Sequence, residues 1–320
     1  MTHRPVATCD RITGMLYGRV RHVDKAVSRC VLGTSGIRTD QEHRLLDAYV
    51  EMGGNCLDTA RVYGGGRSEE VVGRWLRMIG PGHVVVLAKG AHPPHCTPSA
   101  VARDLSLSLD NLGLSCIDLY LLHRDDPSVP VGEFVDALDA ERSAGRIRAY
   151  GVSNWTRPRL AEANRYATDR GRAGLVALSN HFSLARPAQR LYPGCETVDA
   201  EFARSLAADS AIALFPWSSQ ARGFFAEVPE QSLDPNVWRC WGTPDNFARR
   251  QRAGQLATAR NVPRVNIALS YVLHQPFPTF PIIGPQDVDQ LAIAVGGLSV
   301  KLDAPEVEWL EYGSTGGRHE

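Results

Sequence analysis

Lysine is nearly missing from this chain of 320 residues, in which the 35 basic residues include only Lys25, Lys89 and Lys301. Arginine does not give up its proton in proteins, whereas the pKa of a lysine shifts readily and its compact ammonium fits a tight site. A lysine that follows an apolar run directly, as Lys89 does, is therefore a better candidate for chemistry than the arginines are.

Other absences exclude whole classes of protein. No apolar run approaches the length of a membrane span, and residues 1–14 contain no hydrophobic segment of signal-peptide length. The 35 basic and 35 acidic residues balance, so no overall field attracts nucleic acid or an anionic membrane. The seven cysteines are odd in number and form no C-x-x-C pair, which favours reduced thiols in a cytoplasmic protein.

Signatures for phosphate and metal binding are missing as well. No G-x-G-x-x-G follows the first predicted strand, and no G-x-x-x-x-G-K-[ST] occurs anywhere. His92 and His95 flank two prolines, but no carboxylate nearby in the sequence completes a tetrahedral ligand set. We therefore predict no metal site and interpret residues 92–96 as a substrate loop.

The sequence does contain a regular alternation of short β-branched runs and longer amphipathic segments. Such alternation is typical of a parallel sheet, whose strands are nearly continuous in apolar residues because helices cover both faces. Eight units favour a closed barrel over an open sheet. The predicted strands are residues 27–33, 55–59, 84–89, 116–123, 147–153, 175–180, 212–218 and 278–284.

We therefore predict a single-domain (β/α)8 TIM barrel over residues 1–320, with long loops on its C-terminal face. Residues 1–26 precede the first strand as an extension, for which we expect a small hairpin that closes the lower end of the barrel. Helix starts are marked by a capping box at residues 39–42 and by Thr–Pro pairs at 97–98 and 243–244.

Four polar residues stand where such barrels carry their chemistry, at the C-terminal ends of strands and in the loops that follow. Asp58 and Tyr63 come after the second predicted strand, while Lys89 and His123 end the third and fourth. Each alone has an ordinary explanation: a turn cap, a loop aromatic, a lysine reaching solvent, a hydrogen-bonded core histidine. Their convergence on one rim predicts a catalytic site.

These four groups suit the reduction of a carbonyl by hydride, which leaves an alkoxide in need of a proton. A tyrosine, with a pKa of about 10, is a usable acid, and we expect the Lys89 ammonium to lower the pKa of Tyr63. Asp58 supplies the counter-ion that a buried ammonium requires. His123 can donate a hydrogen bond to the carbonyl oxygen and fix its direction.

Several sequence blocks, in order, resemble those of the aldo-keto reductase superfamily. They are residues 57–64 with 67–69 ("DTA…YG…SE"), 118–123 ("DLYLLH"), and 145–148 with 151–154 ("GKIR…GVSN"). The resemblance extends from about residue 27 to residue 311. It implies that Asp58, Tyr63, Lys89 and His123 form the catalytic tetrad, and that Ser153 and Asn154 hold the nicotinamide carboxamide.

The same resemblance implies further contacts with a nicotinamide dinucleotide. Trp217 stands where the family has an aromatic side chain that stacks on the nicotinamide ring, with a place in the barrel core as the alternative. Ser218 and Gly223 lie in the stretch that wraps the pyrophosphate. Gly284 begins the loop, which includes Gln286, that leads to the adenosine end.

Two departures from the family pattern concern the cofactor. Residues 179–181 read Ser-Asn-His, where a glutamine often contacts the nicotinamide, and residues 285–287 read Pro-Gln-Asp, where many members bind the 2′-phosphate of NADP through Arg or Lys with Ser or Thr. An acidic side chain near that phosphate would repel it. The resemblance implies NADPH as cofactor, and these departures make NADH the alternative.

A long connection over residues 221–246 is rich in aromatic residues, and such loops are often lids or binding loops. We expect Phe224, Trp238 and Trp241, together with Tyr192 from the preceding loop, to wall the substrate cavity. The alternative is that they pack against the exterior helices. Residues 124–126 (Arg-Asp-Asp) bring charges to the same rim, where we favour mutual pairing in solvent over contact with a polar substrate.

The leading hypothesis is NAD(P)H-dependent reduction of a carbonyl compound, an aldehyde, ketone or keto-sugar, to an alcohol, with Tyr63 as general acid/base. One alternative is a barrel lyase or aldolase that uses Lys89 as a Schiff-base nucleophile. Another is a non-catalytic nicotinamide-binding barrel that senses redox state. The predicted partner is a small-molecule carbonyl substrate, without nucleic acid or membrane, and nothing in the sequence indicates an oligomeric state.

Overall fold

The structure is a computed structural model that describes residues 14–209 and 211–314. Its strands are β1 (Tyr17–Gly18), β2 (Val27–Ser28), β3 (Val31–Gly33), β4 (Cys56–Asp58), β5 (Val85–Gly90), β6 (Ile117–Leu122), β7 (Ile147–Ser153), β8 (Ala177–Ser179), β9 (Ala213–Leu214) and β10 (Ile282–Ile283). Its helices are α1 (His43–Glu51), α2 (Arg67–Ile79), α3 (Pro98–Leu112), α4 (Val131–Ser143), α5 (Arg157–Asp169), α6 (Ala200–Ala208), α7 (Pro235–Trp241), α8 (Pro244–Arg260), α9 (Arg264–Leu273), α10 (Val288–Gly296) and α11 (Ala304–Tyr312).

Eight parallel strands make up the central sheet, in the order β10-β3-β4-β5-β6-β7-β8-β9. Hydrogen bonds join the chain around β9 to the segment that enters β10: the Leu214 amide donates to the Pro278 carbonyl at 2.8 Å and the Phe280 amide to the Leu214 carbonyl at 2.7 Å. These bonds close the sheet, and every barrel strand is followed by at least one helix. The predicted (β/α)8 barrel is confirmed.

The helices begin where the sequence signals indicated. Thr39 and Glu42 form a capping box at the turn that leads into α1. Helices α3 and α8 each start with the proline of a Thr–Pro pair, and the Thr243 side chain accepts a hydrogen bond from the Asn246 amide. In the described part of the chain, none of the helices combines the length and apolar character that crossing a bilayer requires.

Alternation of side chains along each strand decides which residues face the barrel interior. Val85 and Leu87 of β5 and Leu119 and Leu121 of β6 belong to one buried apolar cluster that also contains Cys56 of β4. Each predicted catalytic residue of this region comes two positions after a member of the cluster: Asp58 after Cys56, Lys89 after Leu87, and His123, just beyond β6, after Leu121. The period of two therefore places them on the inner face, at the C-terminal end of the barrel.

The lower end of the barrel is covered by an antiparallel pair, in which Tyr17 of β1 lies opposite Ser28 of β2. Val20 and Val23 in the connection, and Val27 of β2, are buried in the apolar cluster of the barrel interior. Because β2 leads directly into the start of β3, these valines lie at the amino-terminal end of the barrel strands. Residues 1–13 of the predicted extension lie outside the described residues.

The predicted first strand, residues 27–33, is divided into β2 and β3. The Ser28 side chain explains the division, because its hydroxyl accepts hydrogen bonds from the Asn55 and Cys56 amides, both at 3.2 Å. The Ser28 amide in turn donates to the Asn55 side chain at 2.8 Å. These bonds hold Ser28 against the start of β4, so the chain must change direction before it enters the barrel.

Candidate active site

A cavity of about 1040 Å3 opens at the C-terminal ends of the barrel strands. This volume is at the upper end of the range for ligand pockets, roughly 300–1,000 Å3. Most of the site residues predicted from the sequence line it, namely Asp58, Tyr63, Lys89, His123, Ser153, Asn154, Tyr192, Trp217, Ser218, Gly223, Gly284 and Gln286. The expected convergence of strand ends and loops on one rim is therefore present in the structure.

A buried ion pair forms the floor of the cavity. Lys89, at the end of β5, contacts the carboxylate of Asp58, at the end of β4, and their side chains are only 3% and 4% exposed. The Lys89 ammonium also lies 3.5 Å from the Tyr63 hydroxyl. An ammonium and a carboxylate so deeply buried are sustained by each other, since removing either would leave an uncompensated charge.

A turn rich in glycine places Tyr63 next to the ion pair. Tyr63 begins a short turn in which Gly64, Gly65 and Gly66 all have positive φ values, of 59°, 67° and 100°. Residues with a side chain rarely adopt this left-handed region, whereas glycine does so without steric cost. Three such residues in succession reverse the chain between β4 and α2 while Tyr63 faces the cavity.

Burial dominates the pKa values of these three groups. It raises the pKa of Asp58 and lowers the pKa of Lys89, and the contact between the two opposes both shifts. Burial, followed by the charge of Asp58, raises the pKa of Tyr63 well above its ordinary value. The predicted lowering of the Tyr63 pKa by Lys89 is thus not what the ligand-free site gives. The reason is that burial of the phenol dominates, and the negative charge of Asp58 adds to its effect.

His123 follows β6 and faces the same space. Its ring lies edge-on to Tyr63, with centroids 5.8 Å apart, and edge-on to His92 at 5.0 Å. Burial lowers the pKa of His123 well below its ordinary value, and the positive charges of Lys89 and Arg124 lower it further. The imidazole is therefore neutral near pH 7, and one of its nitrogens carries a proton that can be donated to a ligand.

Asn154 connects several parts of the cavity wall through its side-chain amide. Its Nδ2 donates to the His123 carbonyl at 3.3 Å and to the Ser153 hydroxyl at 2.9 Å. Its Oδ1 accepts from the Glu196 amide and from the indole nitrogen of Trp217, both at 3.2 Å. All four hydrogen-bonding positions of this amide are thus used within the protein. The predicted contact with the nicotinamide carboxamide stays a prediction.

Trp217 lines the cavity and is supported from behind by His181. The two rings meet edge-on with centroids 5.1 Å apart, and on its other side His181 lies against Trp241 at 5.7 Å. Burial lowers the pKa of His181 to about 3, so it is a neutral packing residue. Ser179, Asn180 and His181, which replace the family glutamine, are buried and do not line the cavity.

The far end of the cavity lies against the start of α10. Gly284 and Gln286 line it, together with Gln290, Ile293 and Ala294. Asp287, the acidic residue expected near a 2′-phosphate, caps α10 by accepting from the Gln290 amide at 2.8 Å. The lining side chains of α10 and of the loop before it are thus uncharged, while Glu227, which also lines the cavity, is paired with Arg264.

The aromatic residues predicted to wall the substrate cavity divide into two groups. Tyr192 lines the cavity, and its hydroxyl accepts a hydrogen bond from Arg222 at 3.2 Å. Phe224 and Trp241 are instead buried in the main apolar core, because the loop that carries them folds inward against α8. Trp238 is 45% exposed and packs on Phe247 of α8 rather than on the cavity. None of these three residues lines the cavity, which matches the alternative of packing against helices, and their contact with a substrate stays a prediction.

Several residues that line the cavity were not predicted as site residues. His92 lies in the predicted substrate loop, and Arg124, Cys195 and Arg222 come from loops whose paths the sequence did not define. For Arg124 a signal existed, because it directly follows the strand-end His123. Its two acidic neighbours in the sequence hid that signal by suggesting mutual pairing.

The fold is that of a barrel enzyme, and the comparison with family models places the chain among the barrel enzymes that carry out oxidation and reduction with NAD(P). The chain belongs to the aldo/keto reductase family, whose family model matches residues 30–312.

Relatives and solved structures cover most of the chain. It is 27% identical to the uncharacterized oxidoreductase YrpG of Bacillus subtilis over 303 residues, which span 87% of this chain and 89% of the relative. It is also 27% identical to the norsolorinic acid reductase of Aspergillus flavus over 290 residues, spanning 83% of this chain and 70% of that protein. At 25% identity over 298 residues, it resembles the aryl-alcohol dehydrogenase GME11368 of Pestalotiopsis microspora, with coverages of 84% and 71%.

Two solved structures share the fold. The thermostable aldo-keto reductase Tm1743, in complex with the inhibitor epalrestat, has a TM-score of 0.73 at 23% identity and covers 93% of this chain and 99% of its own. The aldo/keto reductase of Klebsiella pneumoniae, in complex with NADP and acetate, has a TM-score of 0.69 at 22% identity, with coverages of 89% and 91%. At these identities the likeness concerns the fold.

Proposed function

We propose that this enzyme reduces an aldehyde or ketone to an alcohol at the expense of NADPH, with Tyr63 as the proton donor. The observation that carries the proposal is the position of the Tyr63 hydroxyl, 3.5 Å from an ammonium that is itself paired with a buried carboxylate, at the floor of the cavity. An acid held beside a fixed positive charge is what a developing alkoxide requires.

The shape and lining of the cavity fit a nicotinamide dinucleotide. Trp217 offers an aromatic ring, Ser218 and Gly223 also line the cavity, and Gly284 and Gln286 line the far end. When bound, the reduced nicotinamide supplies hydride to the carbonyl carbon. Because no arginine or lysine stands among the residues of the 284–294 stretch that line the cavity, NADH remains the alternative to NADPH.

Protonation follows from the pKa directions of the site residues. Burial and Asp58 raise the pKa of Tyr63, so the phenol is fully protonated near pH 7 and available as an acid. The neutral imidazole of His123 can donate a hydrogen bond to the carbonyl oxygen and direct it towards Tyr63. Once Tyr63 has given up its proton, the Lys89 ammonium stabilises the phenolate.

For the substrate class, the relatives suggest aromatic carbonyl compounds. One of them is named an aryl-alcohol dehydrogenase, and two further proteins of Schizosaccharomyces pombe are named putative aryl-alcohol dehydrogenases. Benzaldehyde and its ring-substituted derivatives are therefore the first probes to use.

Tyr63→Phe tests the proposal, because it removes only the hydroxyl. We expect kcat for benzaldehyde reduction to fall by about 10²–10⁴-fold, the usual contribution of general acid catalysis. Dinucleotide affinity, followed by fluorescence titration, should stay within about twofold of the wild type. Normal turnover in this variant would show that Tyr63 is not the acid.

The alternative use of Lys89 as a Schiff-base nucleophile is disfavoured by its ion pair with Asp58. A nucleophilic amine must be neutral and free to attack, whereas here it is held by a carboxylate and a phenol. Borohydride treatment in the presence of carbonyl substrate separates the two hypotheses, since a lyase or aldolase would be trapped as a covalent adduct on Lys89. We expect no adduct.

A further inference from the structure

The side chain of Arg124 forms no ion pair with the two acidic residues that follow it in the sequence. Asp125 forms an ion pair with Arg159 of α5, at 2.8 Å and 2.9 Å for the two pairs of atoms. Asp126 accepts hydrogen bonds from the amide and hydroxyl of Ser128, at 3.0 Å and 2.6 Å. Neither carboxylate therefore compensates the charge of Arg124, contrary to the pairing expected from the sequence.

The backbone of Arg124 is fixed, and its side chain lines the cavity. Its carbonyl oxygen accepts from the Cys96 thiol at 3.2 Å and from the indole nitrogen of Trp155 at 3.3 Å. The guanidinium donates to the His123 carbonyl at 2.9 Å. A guanidinium has five N–H donors, so most of the Arg124 donors are left to bind a ligand.

The charge of Arg124 is uncompensated where the substrate must lie. In residues 14–209 and 211–314 no carboxylate forms an ion pair with it, although fifteen other pairs are formed there. Two other cations line the cavity: Lys89, which is paired with Asp58, and Arg222, which donates to the Tyr192 hydroxyl at 3.2 Å. The acid of the neighbouring loop, Glu196, pairs with Arg190 at 2.9 Å.

Arg124 also lies close to the reacting groups. Its positive charge lowers the pKa values of Tyr63, Lys89 and His123 alike, which requires it to be near all three. His92, another lining residue near it, does not offset this charge, since burial lowers its pKa and leaves it neutral. Arg124 therefore brings a positive charge that is not paired with a carboxylate of the described residues to the predicted position of the carbonyl.

We propose that Arg124 binds an anionic group of the substrate, so that the preferred substrate is an aldehyde or ketone that also bears a carboxylate or a similar anion. This inference rests on the proposed carbonyl reduction at the same site. A planar guanidinium matches a carboxylate in a two-point hydrogen-bonded pair, which an ammonium does not reproduce. Arg124 thus acts as a specificity-determining residue, while the proton transfer is left to Tyr63.

A pair of substrates that differ only in charge tests this role. For the wild type, kcat/KM with 4-carboxybenzaldehyde should exceed that with its neutral methyl ester. In Arg124→Gln this preference should fall about tenfold or more, because a charge-assisted hydrogen bond is lost. Arg124→Lys should retain part of it. Arg190→Gln is the matched control, since it removes the same charge from a side chain that is 61% exposed and does not line the cavity.

Two kinetic outcomes would overturn the proposal. One is a wild type that does not prefer the carboxylate, and the other is an equal loss of kcat/KM for both substrates in Arg124→Gln, which would make Arg124 a support for His123 or Tyr63. Binding distinguishes this failure from failure of the proposed function. The two product alcohols, 4-(hydroxymethyl)benzoate and its neutral methyl ester, can be titrated calorimetrically whether or not the enzyme turns over, and the preference for the anion should fall about tenfold in Arg124→Gln. An unchanged preference would refute the role of Arg124.

Discussion

The two ends of the cavity differ in how their polar groups are held. At the ends of β4, β5 and β6, Asp58 and Lys89 form an ion pair with almost no exposed surface, beside the phenol of Tyr63. At the opposite end, Gln286 and Gln290 are exposed, uncharged and carried by the loop and helix that follow β10. The first end depends on burial for its electrostatics, and the second leaves its polar groups in contact with water.

Under the proposed function, this difference separates the residues of the reaction from those that recognise the cofactor. A buried ion pair cannot be changed without a large cost in stability, whereas neutral surface amides can be exchanged at little cost. The catalytic end should therefore respond strongly to single substitutions, and the far end weakly. The predictions below test this contrast.

The largest effect is expected for Lys89→Met. Turnover should fall by at least about 10²-fold, since the Tyr63 phenolate loses its stabilising cation, and the free energy of unfolding should fall by roughly 3–5 kcal/mol, because Asp58 remains buried without a partner. Denaturant unfolding and steady-state kinetics measure the two effects. Adding Asp58→Asn should restore stability but not turnover.

A matched control for that substitution is Lys25→Met. Lys25 also pairs with an aspartate, Asp118 at 3.1 Å, but its side chain is 33% exposed and lies outside the cavity. Turnover should remain close to that of the wild type. If both lysine variants lost turnover equally, the special position of Lys89 would be disproved.

The buried and exposed tryptophans of α7 form the next contrast. Trp241→Ala should reduce the free energy of unfolding by about 3–5 kcal/mol, because it empties a fully buried position. Trp238→Ala, at a side chain that is 45% exposed, should cost much less and leave KM for the carbonyl substrate within about twofold. A large rise in KM for Trp238→Ala would return this residue to the substrate pocket.

Acid should weaken the fold through its buried histidines. The pKa of His181 falls from 6.5 to about 3 on burial, so between these values only the unfolded chain binds the proton. Stability is therefore present above about pH 6.5 and is lost as the pH falls towards 3, by roughly 1.4 kcal/mol per pH unit. His181→Gln should reduce this slope, measured by denaturant unfolding at several pH values.

An equal slope in wild type and His181→Gln would mean that His181 is not the titrating group.

The smallest effect is expected at the far end of the cavity. Gln286→Arg should tighten the binding of NADPH about fivefold to tenfold and leave that of NADH nearly unchanged, if this loop meets the 2′-phosphate. Fluorescence titration with both dinucleotides measures the difference. Gln231→Arg, at an exposed position away from the cavity, should alter neither affinity. Equal tightening for both dinucleotides would place the phosphate elsewhere.

Residues at strand ends could be predicted from the sequence, because the strand itself determines their position. Once the alternation of strands and helices indicates a barrel, Asp58, Lys89 and His123 must point inward at its C-terminal end. Tyr63 is also accessible to this reasoning, since the glycines that follow it indicate a tight turn beside β4. The family resemblance reinforced these assignments independently.

Residues whose place depends on the path of a loop could not be predicted in the same way. Phe224 and Trp241 are aromatic side chains of the kind that often line a pocket. Their segment instead folds into the core, where Phe224 packs against α8. Mutual pairing was expected within residues 124–126, yet Arg159 of α5, distant in the sequence, pairs with the Asp125 carboxylate. The pKa of Tyr63 was predicted in the wrong direction, because desolvation and Asp58 depend on the assembled site.

Deuterium transfer tests the central claim most directly. With NADPH deuterated at the reactive C4 position and benzaldehyde as the carbonyl compound, mass spectrometry should find one deuterium on the carbinol carbon of the alcohol. The rate of its formation should collapse in Tyr63→Phe. An unlabelled alcohol, or failure of both NADPH and NADH to support reduction of any carbonyl probe, would contradict the account.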